Sequence, residues 1–148
     1  MKKIYLDDTR TPIDKEWVLV RNYSQFVTKV QDIGLENISE ISLDHDLGDT
    51  AINEYFNNVQ PNYTLDYNNI TEKTGYDCAK WLVEHYYQLN PPSDAPRLIK
   101  RTLDFKFPKV TTHSANPIGA ANIIGYINNF YKNQRFSENC IYLYIKHI

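Results

Sequence analysis

Short apolar runs that stop abruptly at polar clusters recur along this chain. Lys3 to Leu6 (KIYL) ends at Asp7 and Asp8, as a buried strand does when it meets the surface. Trp17 to Val20 (WVLV) repeats that signature after a Pro-containing loop, and Ile38 to Leu43 ends in Asp44, His45, Asp46, Leu47 and Gly48. Val110 to Thr112 is β-branched and runs into His113, Ser114, Ala115 and Asn116. Between these strands the period changes. Ser24 suits a helix N-cap, Phe26, Val27 and Val30 give one apolar face, and Gly34 marks the end. Thr74 followed three places later by Asp77 is a capping-box pattern. Ala79, Leu82, Val83 and Tyr86 form the apolar side of that helix, and Pro91-Pro92 is placed to end it. A further helix is expected from about Ile118 to Tyr131, and alternation over Cys140 to Lys146 predicts a last strand.

Strands alternating with helices predict a largely parallel sheet with helices on both faces, in one domain spanning residues 1–148. The Thr9 to Glu16 connection is shorter than the dozen or so residues of an ordinary parallel crossover. Either the second strand is antiparallel or the crossover helix has been pared away. Asp49 to Lys73 is too long and polar for an ordinary connection and is expected to be a lid or partly mobile insertion.

Composition narrows the partners. The formal net charge of -2 advertises no bulk nucleic-acid or anionic-membrane surface, although a phosphate ester can still bind in one cleft. Two cysteines, Cys78 and Cys140, form neither a disulfide framework nor a metal motif and are expected to be reduced thiols. The opening MKKIYLDD lacks a signal-peptide core, and no apolar stretch approaches the ~20 residues of a membrane span. The expected location is cytoplasmic.

In an open parallel sheet, ligands bind beyond the carboxyl ends of the strands. If the three polar-ended runs are neighbours, Asp7, Asp8, Asp44 and Asp46 converge with His45, His113, Ser114 and Asn116. Four carboxylates so close repel one another and raise each other's pKa. A divalent cation relieves that repulsion, and hard oxygen donors favour magnesium, with manganese the alternative. Each motif taken alone has a plainer explanation. Asp7-Asp8 is a common strand-end turn, His113 can be a satisfied turn histidine, Arg10 is a surface charge or an anion contact, and Asp77 is first a capping partner. Tyr55, Phe56, Tyr63 and Tyr67 of the insertion stack on a base or seal a minor core. The joint occurrence at strand ends is what points to chemistry.

At these residues the chain resembles the cyclic-phosphate processing receiver-like family, an offshoot of response-regulator receiver domains. The resemblance lies in LDDTRTP (Leu6 to Pro12), VRNYSQF (Val20 to Phe26), ISLDHDLG (Ile41 to Gly48), TGYDCAKWL (Thr74 to Leu82) and HSANPIGAANI (His113 to Ile123). It implies a flavodoxin-like three-layer sandwich in which Asp7 and Asp8 hold magnesium, Asp44 is the aspartate after the third strand that accepts the phosphoryl group in receivers, and Ser114 is the hydroxyl after the fourth. His45, Asp46, His113 and Asn116 match the cyclic-phosphate pattern, and Lys146 is the one candidate for the receiver lysine.

The resulting expectation is a metal-dependent phosphodiesterase that opens a cyclic phosphate on a nucleotide, an RNA end or an ADP-ribose derivative. Asp7, Asp8, Asp44 and Asp46 would hold the metal. Asp44, His45, His113 and Ser114 would be catalytic, and Arg10, Asp77, Asn116 and Asn122 would bind substrate. Two extra histidines suit proton transfer near neutral pH and favour turnover over switching. The alternatives are a phospho-accepting signalling module and a protein that binds a cyclic nucleotide without cleaving it.

Overall fold

The computed structural model describes residues 1–90 and 106–146, with side chains described through residue 133. Four strands, β1 (Lys2–Leu6), β2 (Trp17–Val20), β3 (Ile38–Leu43) and β4 (Lys109–Thr112), form one sheet in the order β2-β1-β3-β4, every pair parallel. β1 therefore pairs with its successor on one side and with β3 on the other, and the strand order reverses between them. The β1–β2 pairing also settles the short connection: residues 7–16 make a parallel crossover with no helix in it. The result is an α/β, receiver-like fold, consistent with a flavodoxin-like sandwich.

Alternation along the strands decides what each face meets. Ile4, Leu6, Ile41, Leu43 and Val110 point to one side and are buried there. They join Phe26 and Val30 of α1 (Tyr23–Ile33), Leu82 and Val83 of α4 (Gly75–Leu89), and Ile123 and Ile127 of α5 (Pro117–Lys146) in one core. The other face carries Lys3, Tyr5, Glu40 and Ser42. Lys3 Nζ stands 3.9 Å from both Glu16 and Glu40, and Tyr5 meets Trp17 edge-on.

Local chemistry explains the helix ends. α1 begins two residues earlier than an N-cap at Ser24 would place it, because the Asn22 side chain accepts from Gln25 N at 2.9 Å and caps the helix instead. Gly34 ends it at φ +87°, a left-handed conformation that side-chain-bearing residues resist. α4 has the expected capping box, with Thr74 N donating to Asp77 Oδ2 at 2.8 Å. It runs to Leu89, while Pro91 and Pro92 lie outside the described residues.

The expected insertion, Asp49 to Lys73, carries regular structure of its own. It contains α2 (Asp49–Glu54), a π-helical turn (Tyr55–Val59), the short α3 (Gln60–Asn62) and a 3-10 turn (Tyr67–Asn69). Buried Glu54 accepts from Asn58 and Asn69, and Glu72 accepts from Ala51 N at 2.7 Å and from Thr50, so polar residues tie the insertion together internally. Cys140 to Lys146 forms no strand. It continues α5, which runs well beyond Tyr131, because local alternation cannot outweigh a helix already propagating into it. The side chains of Cys140 and Lys146 lie outside the described residues, and the receiver-lysine assignment with them. Cys78 is a buried free thiol, and burial pushes its pKa well up. Among the described residues no helix is long and apolar enough to cross a membrane.

Candidate active site at the strand ends

The parallel ladder continues one residue past the strands and thereby assembles the site. Asp7 N donates to Val20 O at 3.1 Å, Asp44 N to Leu6 O at 2.9 Å, and His113 N to Leu43 O at 3.1 Å. Asp7, Asp44 and His113 therefore stand side by side at the carboxyl edge, where the strand order reverses. Asp7, Asp8 and Asp44 each offer a carboxylate oxygen, and these oxygens lie within 4.8 Å of one another.

Asp7 is fully buried and surrounded by donors. Its Oδ1 accepts from Thr9 N at 2.9 Å and Arg10 N at 2.7 Å. Its Oδ2 accepts from Arg10 Nε at 2.7 Å and meets His113 Nε2 at 3.0 Å. Burial acts to raise its pKa, but the Arg10 and Thr9 amides and the guanidinium outweigh it and the net direction is down. Asp44 has fewer donors: its Oδ1 accepts from His45 N at 2.8 Å and stands 3.5 Å from Arg10 Nη2. Burial, then the negative field of Asp7, push its pKa up to about 6. Half-buried Asp8 is raised for the same two reasons.

Arg10 is more than a surface charge. Its guanidinium bonds Asp7, lies beside Asp44 and donates to His113 O at 3.2 Å, so the protein itself relieves part of the acid repulsion. Close acids here do not by themselves require a metal. The donor set nevertheless fits one: three hard oxygens face one small volume, and one guanidinium leaves the trio short of neutrality.

Of the remaining expected residues, His45, Asp46 and Asn116 form an inner layer. His45 is fully buried, with Nδ1 2.6 Å from Asp46 Oδ1 and Nε2 3.0 Å from Tyr67 OH, so its ring is sealed from solvent. Asp46 is directed toward His45 and Asn116 Nδ2 and lies outside the three-acid group. Asn116 is almost wholly buried; its Oδ1 caps α5 by accepting from Gly119 N at 2.9 Å, while its amide nitrogen serves Asp46. Ser114 Oγ accepts from Asn116 N at 3.1 Å, and Asn122 Nδ2 donates to Tyr67 OH at 3.0 Å. Asp77 sits in the α4 capping box with Lys80 Nζ 3.6 Å away. Two glycines make room for this layer. A Cβ at Gly119 would enter the His45 ring, and one at Gly75 would strike the Asp44 carbonyl.

Three residues here were not assigned to the site by sequence reasoning. Arg21 donates from Nη1 to Asp7 O at 3.1 Å and Arg10 O at 2.7 Å, pinning the loop after β1; it lies inside the VRNYSQF stretch, where its charge beside a strand end was the available signal. Tyr67 brings the insertion onto His45, a distance no local pattern encodes. Ser42 Oγ lies 2.7 Å from His113 Nδ1, and its only mark in the sequence is a hydroxyl between Ile41 and Leu43.

A family model described as the cyclic-phosphate processing receiver domain matches residues 2–129, which includes every one of these side chains. No curated protein and no solved structure matches the chain.

Proposed function

This chain belongs to the cyclic-phosphate processing receiver domain family, and from that premise we propose that it is a metal-dependent phosphodiesterase opening a cyclic phosphate on a nucleotide, an RNA end or an ADP-ribose derivative. The observation that carries the reading is the meeting of Asp7, Asp8 and Asp44 with the Arg10 guanidinium and the His113 imidazole at one sheet edge. A signalling receiver needs the acids; a proton-transfer group bonded to one of them suits turnover.

Asp7, Asp8 and Asp44 would hold the ion, magnesium by donor hardness or manganese. When bound, it would polarise a phosphoryl oxygen and acidify water. Arg10, half-exposed and fixed by Asp7, is placed to pair with a non-bridging oxygen and to steady the charge that develops as the ester opens. His113 is the one imidazole of the site that remains partly exposed; in its imidazolium form it would give a proton to the departing sugar oxygen as a water oxygen bonds to phosphorus. Ser114 and the first turn of α5 favour the anionic phosphate by hydroxyl donation and helix dipole. His45, Asp46, Asn116, Tyr67 and Asn122 act behind this layer, fixing the backbone that carries Asp44 and the turn that carries Ser114.

The test is incubation of purified protein, with magnesium or manganese, against nucleoside cyclic phosphates, RNA ends bearing a cyclic phosphate, and ADP-ribose cyclic phosphates. At least one is expected to open to a monoester, and chelation should stop it. Asp44→Asn and His113→Ala should each lower the rate roughly 100- to 10,000-fold. Failure to open any of the panel, or variants as fast as wild type, would overturn the reading.

A further inference from the structure

The His113 ring is held from three directions, and only one of them lies within the acid cluster. Tyr5 of β1 stacks against it, with centroids 4.1 Å apart and planes within 12°. Asp7 Oδ2 meets Nε2 at 3.0 Å and Ser42 Oγ meets Nδ1 at 2.7 Å. Ser42 lies on β3 opposite Tyr5 of β1 and Thr111 of β4. Because Ile41 and Leu43 fill the core, strand alternation turns the Ser42 side chain to the opposite face, under the folded-back imidazole.

The donors around Asp7 decide the tautomer. Asp7 already accepts from two amides and a guanidinium, so it is an ionised acceptor, and the Nε2 facing it carries the proton. In the neutral ring Nδ1 is then the acceptor, and the Ser42 hydroxyl donates to it. A hydroxyl both donates and accepts, so it can satisfy Nδ1 whether or not that nitrogen carries a proton. Alanine offers neither function.

We infer that Ser42 is the positioning residue for His113, holding the ring so that Nε2 and its proton stay directed into the strand-end site. This rests on the proposed proton-donor role of His113. Ser42 itself is almost wholly buried beneath the ring and does not reach the reacting atoms. Misplacing a proton donor by about an ångström costs up to about 100-fold in rate, which sets the scale of the effect.

The experiment compares wild type, Ser42→Ala and Ser42→Thr by histidine side-chain nitrogen NMR, with His113→Asn to assign the signal, and by kinetics on whichever cyclic phosphate is opened. In Ser42→Ala the Nδ1 resonance of His113 should move downfield toward that of a free lone pair. kcat should fall roughly 10- to 100-fold with KM nearly unchanged. Ser42→Thr, which keeps the hydroxyl, should restore both. An unmoved resonance in folded Ser42→Ala, or unchanged kcat, overturns the inference. If Ser42→Ala does not fold, Ser42→Thr is set against Ser42→Cys, a weak donor. A wild-type Nδ1 shift in the threonine variant alone supports the role, and equal shifts in both overturn it. If wild type opens nothing in the panel, the functional reading fails, while the nitrogen spectra still decide whether Ser42 fixes the ring.

Discussion

Replacing Asp44 with asparagine is expected to make the metal-free protein more stable at neutral pH while removing its activity. The side chain keeps its shape, and an amide oxygen can still accept from His45 N. What disappears is a buried negative charge beside Asp7. The Asp44 pKa rises from 3.8 to about 6 in the folded protein, so the native state binds this proton more tightly than the unfolded chain does. The stabilisation from that proton is complete below the unfolded pKa and is lost as pH climbs toward 6. At pH 7.5 wild type carries the whole deficit, ~3 kcal/mol, which asparagine avoids. For a chain of this length the difference corresponds to roughly 10 °C in Tm. Urea unfolding of both proteins with a chelator present, at about pH 7.5 and again near pH 4, measures it. The variant should be more stable at the higher pH, with most of the gap gone at the lower. Magnesium added at neutral pH should raise wild type selectively, since only an intact acid trio holds it well. A gap of the same size at both pH values, or a less stable variant at pH 7.5, would refute the electrostatic reasoning.

Asp77→Ala separates a capping role from a substrate-binding one. It should cost ~1 kcal/mol in denaturant unfolding through loss of the α4 capping box, with KM for the opened cyclic phosphate unchanged. A large rise in KM at unaltered stability would return Asp77 to the substrate. Gly119→Ala should destabilise by ~1–3 kcal/mol because its methyl group enters the space of the His45 ring. A calorimetric Tm equal to wild type would show that His45 is not confined as described.

The apolar runs determined most of what positions the site. Trp17–Val20 and Ile38–Leu43 are strands over the full extent of their patterns, and the acids after Leu6 and Leu43 stand at the strand ends because a buried run has to stop where water begins. The Thr74–Asp77 spacing likewise fixed the start of α4, since a capping box is closed by residues three apart. Local pattern could not decide where one segment's end lies beside another's. The parallel register of β1, β3 and β4 places Asp7, Asp44 and His113 together, and register comes from the shared core rather than from any one strand. The same is true of the division among the polar residues. Asp46 and His45 follow Asp44 directly, yet packing against Asn116 and Tyr67 draws them into the inner layer. Arg10, in contrast, folds back over three residues to neutralise Asp7. Ser42 read as one hydroxyl in an apolar run, and only the chain's return at His113, 71 residues later, gives that hydroxyl a partner.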